Sequence, residues 1–159
     1  MPMLELFAPA GALAEGDADQ LMGELTRTLL RWEGAPESPQ ALELSWAYLH
    51  ETRPERTYHR GAPIESNAPH FRLMVTVPQG ALDDERKAGL VAEATEQIRR
   101  ASGYADSSAA ARVWVIVTEV TEGNWGGAGR IWRLRDIARF VKTPDARAEE
   151  AAAALGQSA

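Results

Sequence analysis

The residue here that could do chemistry most directly is a proline at position 2. Held in an amide it has no basic nitrogen. With Met1 removed, as small second residues generally permit, it becomes a secondary amine. A free α-amino group titrates at about 7.7–8.0, and an apolar pocket disfavours its charged form, so such an amine could take up and return protons near neutrality. The plainer alternative is that Pro2 only begins a strand, where a missing N–H does no harm. Other reactive types are sparse. There are no cysteines, which excludes disulfides and thiolate metal sites, and His50, His59 and His70 lack the i, i+4 spacing of a helical metal pair. No metal or cofactor is expected. The candidates for holding an anionic substrate group are Arg130, Arg72 beside Phe71, and Arg112.

The elements that would position these residues come in duplicate. A shift of 69 residues sets 2–52 against 71–121 without a gap, pairing Pro9 with Pro78, Gly11 with Gly80 and Leu13 with Leu82. The frame persists through Leu21/Leu90, Glu24/Glu93 and Gly34/Gly103. Each unit opens with an apolar run, Met3–Ala8 and Arg72–Val77, that stops at a Pro-x-Gly turn as a strand should. A helix follows, marked by Leu21, Leu25 and Leu29 in one unit and by Leu90, Ala94 and Ile98 in the other. Acids at the helix starts and arginines at the ends suit the helix dipole. Second strands are expected at Leu42–His50 and Arg112–Val120. Two strands flanking one helix should be parallel, because a helical crossover cannot make a hairpin. The fold class is therefore α/β (α+β): tandem β-α-β units in a four-stranded sheet with both helices on one face. The other, largely apolar face would be bare, which calls for subunit association.

Composition sets further bounds. The chain has 159 residues, 45% of them hydrophobic, enough for one core. One domain is expected over residues 1–141. Residues 53–69 read as a connector with a small hairpin around Tyr58–Gly61, residues 131–141 as a short helix, and 142–159 as a tail that is loosely helical or disordered. A formal charge of −6, with arginines scattered among acids, argues against nucleic acid as a partner. The absence of a long apolar run or a secretory-type start argues against a membrane and for a cytoplasmic location.

Met1-Pro2 followed by an apolar strand, a Gly turn, a helix and then the run from Arg112 to Val120, Thr121-Glu122-Gly123 and Asn124-Trp125-Gly126-Gly127 resembles the 4-oxalocrotonate tautomerase superfamily. The fused two-unit length and the connector from Glu51 to Gly61 are similar to the cis-3-chloroacrylic acid dehalogenase branch. The resemblance covers roughly residues 2–130 and implies a tautomerase/MIF-like fold with Pro2 as general acid/base. It also implies a homotrimer, in which three two-unit chains reproduce the six-unit ring of the one-unit members. Phe71 stands at the second unit's proline position, so three sites per trimer are expected.

Several polar residues of the family are absent. Ala12 and Ala81 stand where a carboxylate-binding arginine is expected, and Trp114 replaces a second arginine. The dehalogenase branch's helical histidine falls near Leu29, its arginine pair near Val77–Ala81, its tyrosine at Ile116 and its water-activating glutamate at Gly127. What remains is apolar and aromatic: Trp114 and Ile116 share a strand face by alternation, and Trp125 occupies the aromatic position of the turn. All three could line a pocket with Pro2, although Trp114 could equally be buried between subunits. The function expected is keto-enol tautomerisation of an apolar or aromatic small molecule. Dehalogenation, hydration or decarboxylation on the same scaffold, or a non-catalytic assembly module, are the alternatives.

Overall fold

Alternation governs the first strand, β1 (Met3–Pro9), whose Leu4, Leu6 and Ala8 are buried while Met3, Glu5 and Phe7 are only partly so. The structure is a computed structural model that describes residues 2–35, 37–64, 68–103 and 107–143, together with Ala153. Met1 and nearly all of the expected tail lie outside the described residues. After β1 come α1 (Glu15–Glu33), α2 (Pro39–Glu43) and β2 (Trp46–Thr52). The second unit follows the same path through β5 (Phe71–Pro78), α3 (Asp84–Ala101) and β6 (Val113–Val120). The sheet order is β2-β1-β5-β6, with β1 parallel to β2, β5 parallel to β6, and the two units joined by antiparallel β1 and β5.

Leu21, Leu25 and Leu29 of α1 and Leu90, Ala94 and Ile98 of α3 share one core with Leu4, Leu6, Leu73, Val75 and Val77, so both helices lie on one sheet face. The helices are also tied to each other. Glu93 accepts hydrogen bonds from Arg31 and from Trp32 Nε1 (2.9 Å), and buried Thr28 accepts one from Gln97 Nε2 (2.8 Å). Beside this network the Trp32 ring lies against Gly89, where a β-carbon would stand 2.1 Å from it.

Two expectations shift. The strand expected from Leu42 begins at Trp46, because Ser38 Oγ accepts from Ala41 N (3.2 Å) and Pro39 follows it, which starts a short helix instead. Buried Ala41 anchors that helix against Leu30 and Val141. The units also lose their gapless frame: Met3 pairs with Trp46 and Arg72 with Trp114, so equivalents lie 69 apart in the first strands and 68 apart in the second.

The repeat then continues beyond the sheet. The hairpin expected around Tyr58–Gly61 is present as β3 (Tyr58–His59) and β4 (Ala62–Pro63), and a second hairpin, β7 (Gly126–Gly127) and β8 (Arg130–Ile131), matches it. Both turn through two positive-φ residues, Arg60-Gly61 and Ala128-Gly129. Both also close with equivalent bonds, Ile64 N to Thr57 O (2.9 Å) and Trp132 N to Trp125 O (2.8 Å). The last helix, α4 (Leu134–Val141), starts later than expected because Ile131 belongs to β8. Opposite the helices, the sheet presents an open face with Trp46 60% exposed, Trp114 68%, Tyr48 41% and Ile116 39%.

Candidate active site

Pro2 is buried at the start of a central strand, and its carbonyl accepts a hydrogen bond from Trp46 N (3.3 Å), the first residue of β2. The antiparallel neighbour β5 ends here, with Thr76 opposite Met3, and β6 ends beside it at Val120. Four strand ends therefore surround Pro2. They enclose a cavity of about 320 Å³ walled by Met3, Leu44, Trp46, Thr76 and Val120, and closed by Asn124, Trp125 and Gly126 from the turn after β6.

That turn is braced from several sides. Asn124 N bonds to Thr121 O (2.9 Å), with Gly123 at a φ of 93° that favours glycine. Glu122 N donates to Gln79 Oε1 (3.1 Å), and the Glu122 carboxylate accepts from Leu134 N (3.2 Å) at the start of α4. Trp132 Nε1 donates to Gly127 O (3.0 Å), which fixes the hairpin behind Trp125. Chemically, the site offers a mostly apolar wall, one side-chain amide at Asn124, one hydroxyl at Thr76, and Pro2.

Of the residues singled out from the sequence, Pro2 and Trp125 meet in this cavity. Trp114 and Ile116 do share a strand face, but they lie six and four residues before Val120, so Trp114 sits about 20 Å down the strand from it. Trp114 and Arg72 line a different cavity, of about 430 Å³, at the opposite end of the sheet. Ile116 lies beside Met74 on the open face. Arg130 stacks over Trp132 at 3.8 Å, and Arg72 over Phe7 at 4.2 Å. Arg112 joins Arg72 in the second cavity. His50 lies 3.0 Å from Glu5, and Glu119 pairs with Lys87 at 3.3 Å, both away from Pro2. Sequence reasoning missed Trp46, Leu44, Thr76 and Asn124. Asn124 adjoins the turn tryptophan and was within reach of the motif, whereas Trp46 and Leu44 required the register of β2. Among the described residues, no group of three His, Cys, Asp or Glu side chains is placed to hold a metal ion, and no helix is long and apolar enough to cross a membrane.

The family described as tautomerase enzyme matches residues 73–135, which span most of β5, then α3, β6 and the turn carrying Trp125. The whole path from Pro2 is also that of solved structures. Pt0534 inactivated by 2-oxo-3-pentynoate superposes with a TM-score of 0.67 at 21% identity, over 81% of this chain and 94% of that one. Residues 73–135 thus carry the tautomerase family pattern, and the chain as a whole has the fold of that structure. F6 fused 4-OT, an asymmetric trimer, has the same fold at a TM-score of 0.66 and 22% identity, again over 81% of this chain and 94% of that one. The macrophage migration inhibitory factor-like protein of Entamoeba histolytica is similar at 0.63 and 14% identity, over 82% and 98%. At these identities the likeness is one of fold. No curated protein matches the chain. These matches do not single out the cis-3-chloroacrylic acid dehalogenase branch.

Proposed function

We propose that the chain is a tautomerase in which Pro2, freed by removal of Met1, acts as general acid/base on an apolar or aromatic carbonyl compound. The observation that carries this reading is the burial of Pro2 in a cavity it shares with Trp125. In the proposed step the amine nitrogen takes a proton from the carbon α to a carbonyl. The C–H electron pair forms the enolate double bond, and the prolinium returns its proton at oxygen or carbon. Asn124 is the side-chain amide positioned to donate to the developing enolate oxygen. Trp125 and Trp46 supply flat apolar surface against a conjugated substrate and keep water from the amine. With Ala12 and Ala81 at the expected carboxylate-anchor positions, dicarboxylates should be poorer substrates than aryl-pyruvate enols.

Under this reading residues 1–141 work as one tautomerase-like unit, and the open sheet face is covered in a homotrimer. The fused 4-OT structures are themselves trimers, symmetric or asymmetric. The deciding experiment compares a preparation whose intact mass lacks Met1 with one that retains it, in ketonisation assays on a panel of enols. Turnover of aryl-pyruvate enols only by the processed protein is the expected result. Equal turnover by both would remove Pro2 from the mechanism.

A further inference from the structure

The second cavity is the internal duplicate of the Pro2 cavity. Its strand registers place Phe71 at the position of Pro2, Arg72 at that of Met3 and Trp114 at that of Trp46. The antiparallel pairing of the units exchanges Thr76 for Phe7 in the same way. The matching hairpins set Tyr58 where Gly126 stands. All nine described residues that line the first cavity have their equivalents lining the second, which is an agreement of sites and not of strands alone. What differs is the chemistry. The amine position has become Phe71, while three arginines have replaced neutral residues: Arg72 for Met3, Arg112 for Leu44 and Arg56 for Asn124. His59 and His70 join them, their rings 4.5 Å apart.

We infer that this second cavity is a non-catalytic binding site for a small carboxylate with a planar, apolar body, held by Arg56, Arg72 and Arg112 against Phe7 and Trp114. Among the described residues the lining contains no carboxylate, although the chain as a whole carries a formal charge of −6. None of the three arginines pairs with an acidic side chain among the described residues. Glu5, on the same sheet face, is engaged with His50. Arg72 Cζ lies over the Phe7 ring, 4.2 Å from its centroid, which holds this guanidinium at the cavity. Burial, and to a lesser degree the neighbouring His59 and Arg112, pulls His70 below its ordinary value, in keeping with a locally positive wall. A cavity of about 430 Å³ admits a bicyclic aromatic acid.

The test is calorimetric titration of the full chain with 2-naphthoate, which has no enolisable position, and with uncharged 2-naphthamide. Saturable binding of the acid, with the amide weaker by roughly tenfold or more, is expected. Arg72→Gln and Arg112→Gln should each weaken the acid by about tenfold, and Trp125→Ala should leave it unchanged. In the unsubstituted protein, the imidazole C–H resonances of His59 and His70 should shift with the same saturation curve. Absence of saturable binding overturns the inference. So does affinity unaltered in the folded triple variant Arg56→Gln, Arg72→Gln, Arg112→Gln, or loss of binding in Trp125→Ala, which would put the ligand at Pro2. Because the readout is binding, the outcome is independent of turnover at Pro2.

Discussion

Pro2→Ala would keep an α-amine but make it primary and more mobile. It should lower kcat on an aryl-pyruvate enol by about tenfold or more, yet fall short of the roughly 10²–10⁴ that complete loss of a general base costs. Trp125→Ala tests the environment of that amine instead of its identity. Trp125 borders the same cavity, so its removal admits water, and a solvated amine holds its proton more tightly. The basic form would then appear only at higher pH, and the rising limb of the pH–rate profile should move upward. If Pro2→Ala and Trp125→Ala leave both the rate and its pH dependence unchanged, the acid/base reading fails. Asn124 enters at this scale only because the turn after β6 is pinned by Gln79 and Leu134 through Glu122.

Between the helices, Gly89→Ala pits two effects against each other. Alanine gains roughly 1 kcal/mol of helix propensity over glycine. The added β-carbon, however, falls 2.1 Å from the Trp32 ring, whose Nε1 is held by Glu93. The clash should win and lower stability by about 1–3 kcal/mol, read by denaturant melts. Glu93 supplies a pH test of the same contact. The Arg31 guanidinium chiefly, with Trp32 and Thr28, holds its carboxyl below the ordinary 4.5 against the opposing effect of burial. A carboxyl with a depressed folded value stabilises the fold above its ordinary value and loses that contribution as pH falls through the depressed one. Glu93→Gln should therefore cost stability at pH 7, and the gap between variant and wild type should narrow as pH falls below the ordinary carboxyl value and through the depressed one. At this scale much was legible in the sequence. The Leu21/Leu90 and Gly34/Gly103 matches located both helices, and the apolar runs located three of the four strands to within a residue or so. The fourth was misplaced because Leu42 and Leu44 read equally well as strand, while the packing of Ala41 that holds the capped segment helical depends on α1 and α4. That same slip hid Trp46 and Leu44 from the candidate site, since a strand's register decides which residue faces Pro2. Within one chain Trp114 and Ile116 share the expected face but lie toward the other end of β6 from Pro2, because alternation fixes sides and carries no information on distance along the strand.

The whole molecule leaves one layer uncovered. Helices seal one sheet face, while the other exposes Trp46, Tyr48, Trp114 and Ile116 across both outer strands. Apolar surface of this extent on a lone chain favours association, and the antiparallel junction of the two units gives each chain two nearly equivalent edges with which to close a ring. Light scattering at micromolar concentration should then give three times the 17.3 kDa chain mass. Ile116→Glu would place an unpaired charge within the covered face and should shift the mass toward that of a single chain. Ala92→Glu, on the exposed side of α3, should leave it unchanged. The Ile116→Glu monomer should keep its helical circular dichroism, because the Leu4, Leu73 and Leu90 core lies on the other side of the sheet. A wild-type chain that is monodisperse and monomeric under these conditions would show that the open face is stable in water and would remove the trimer.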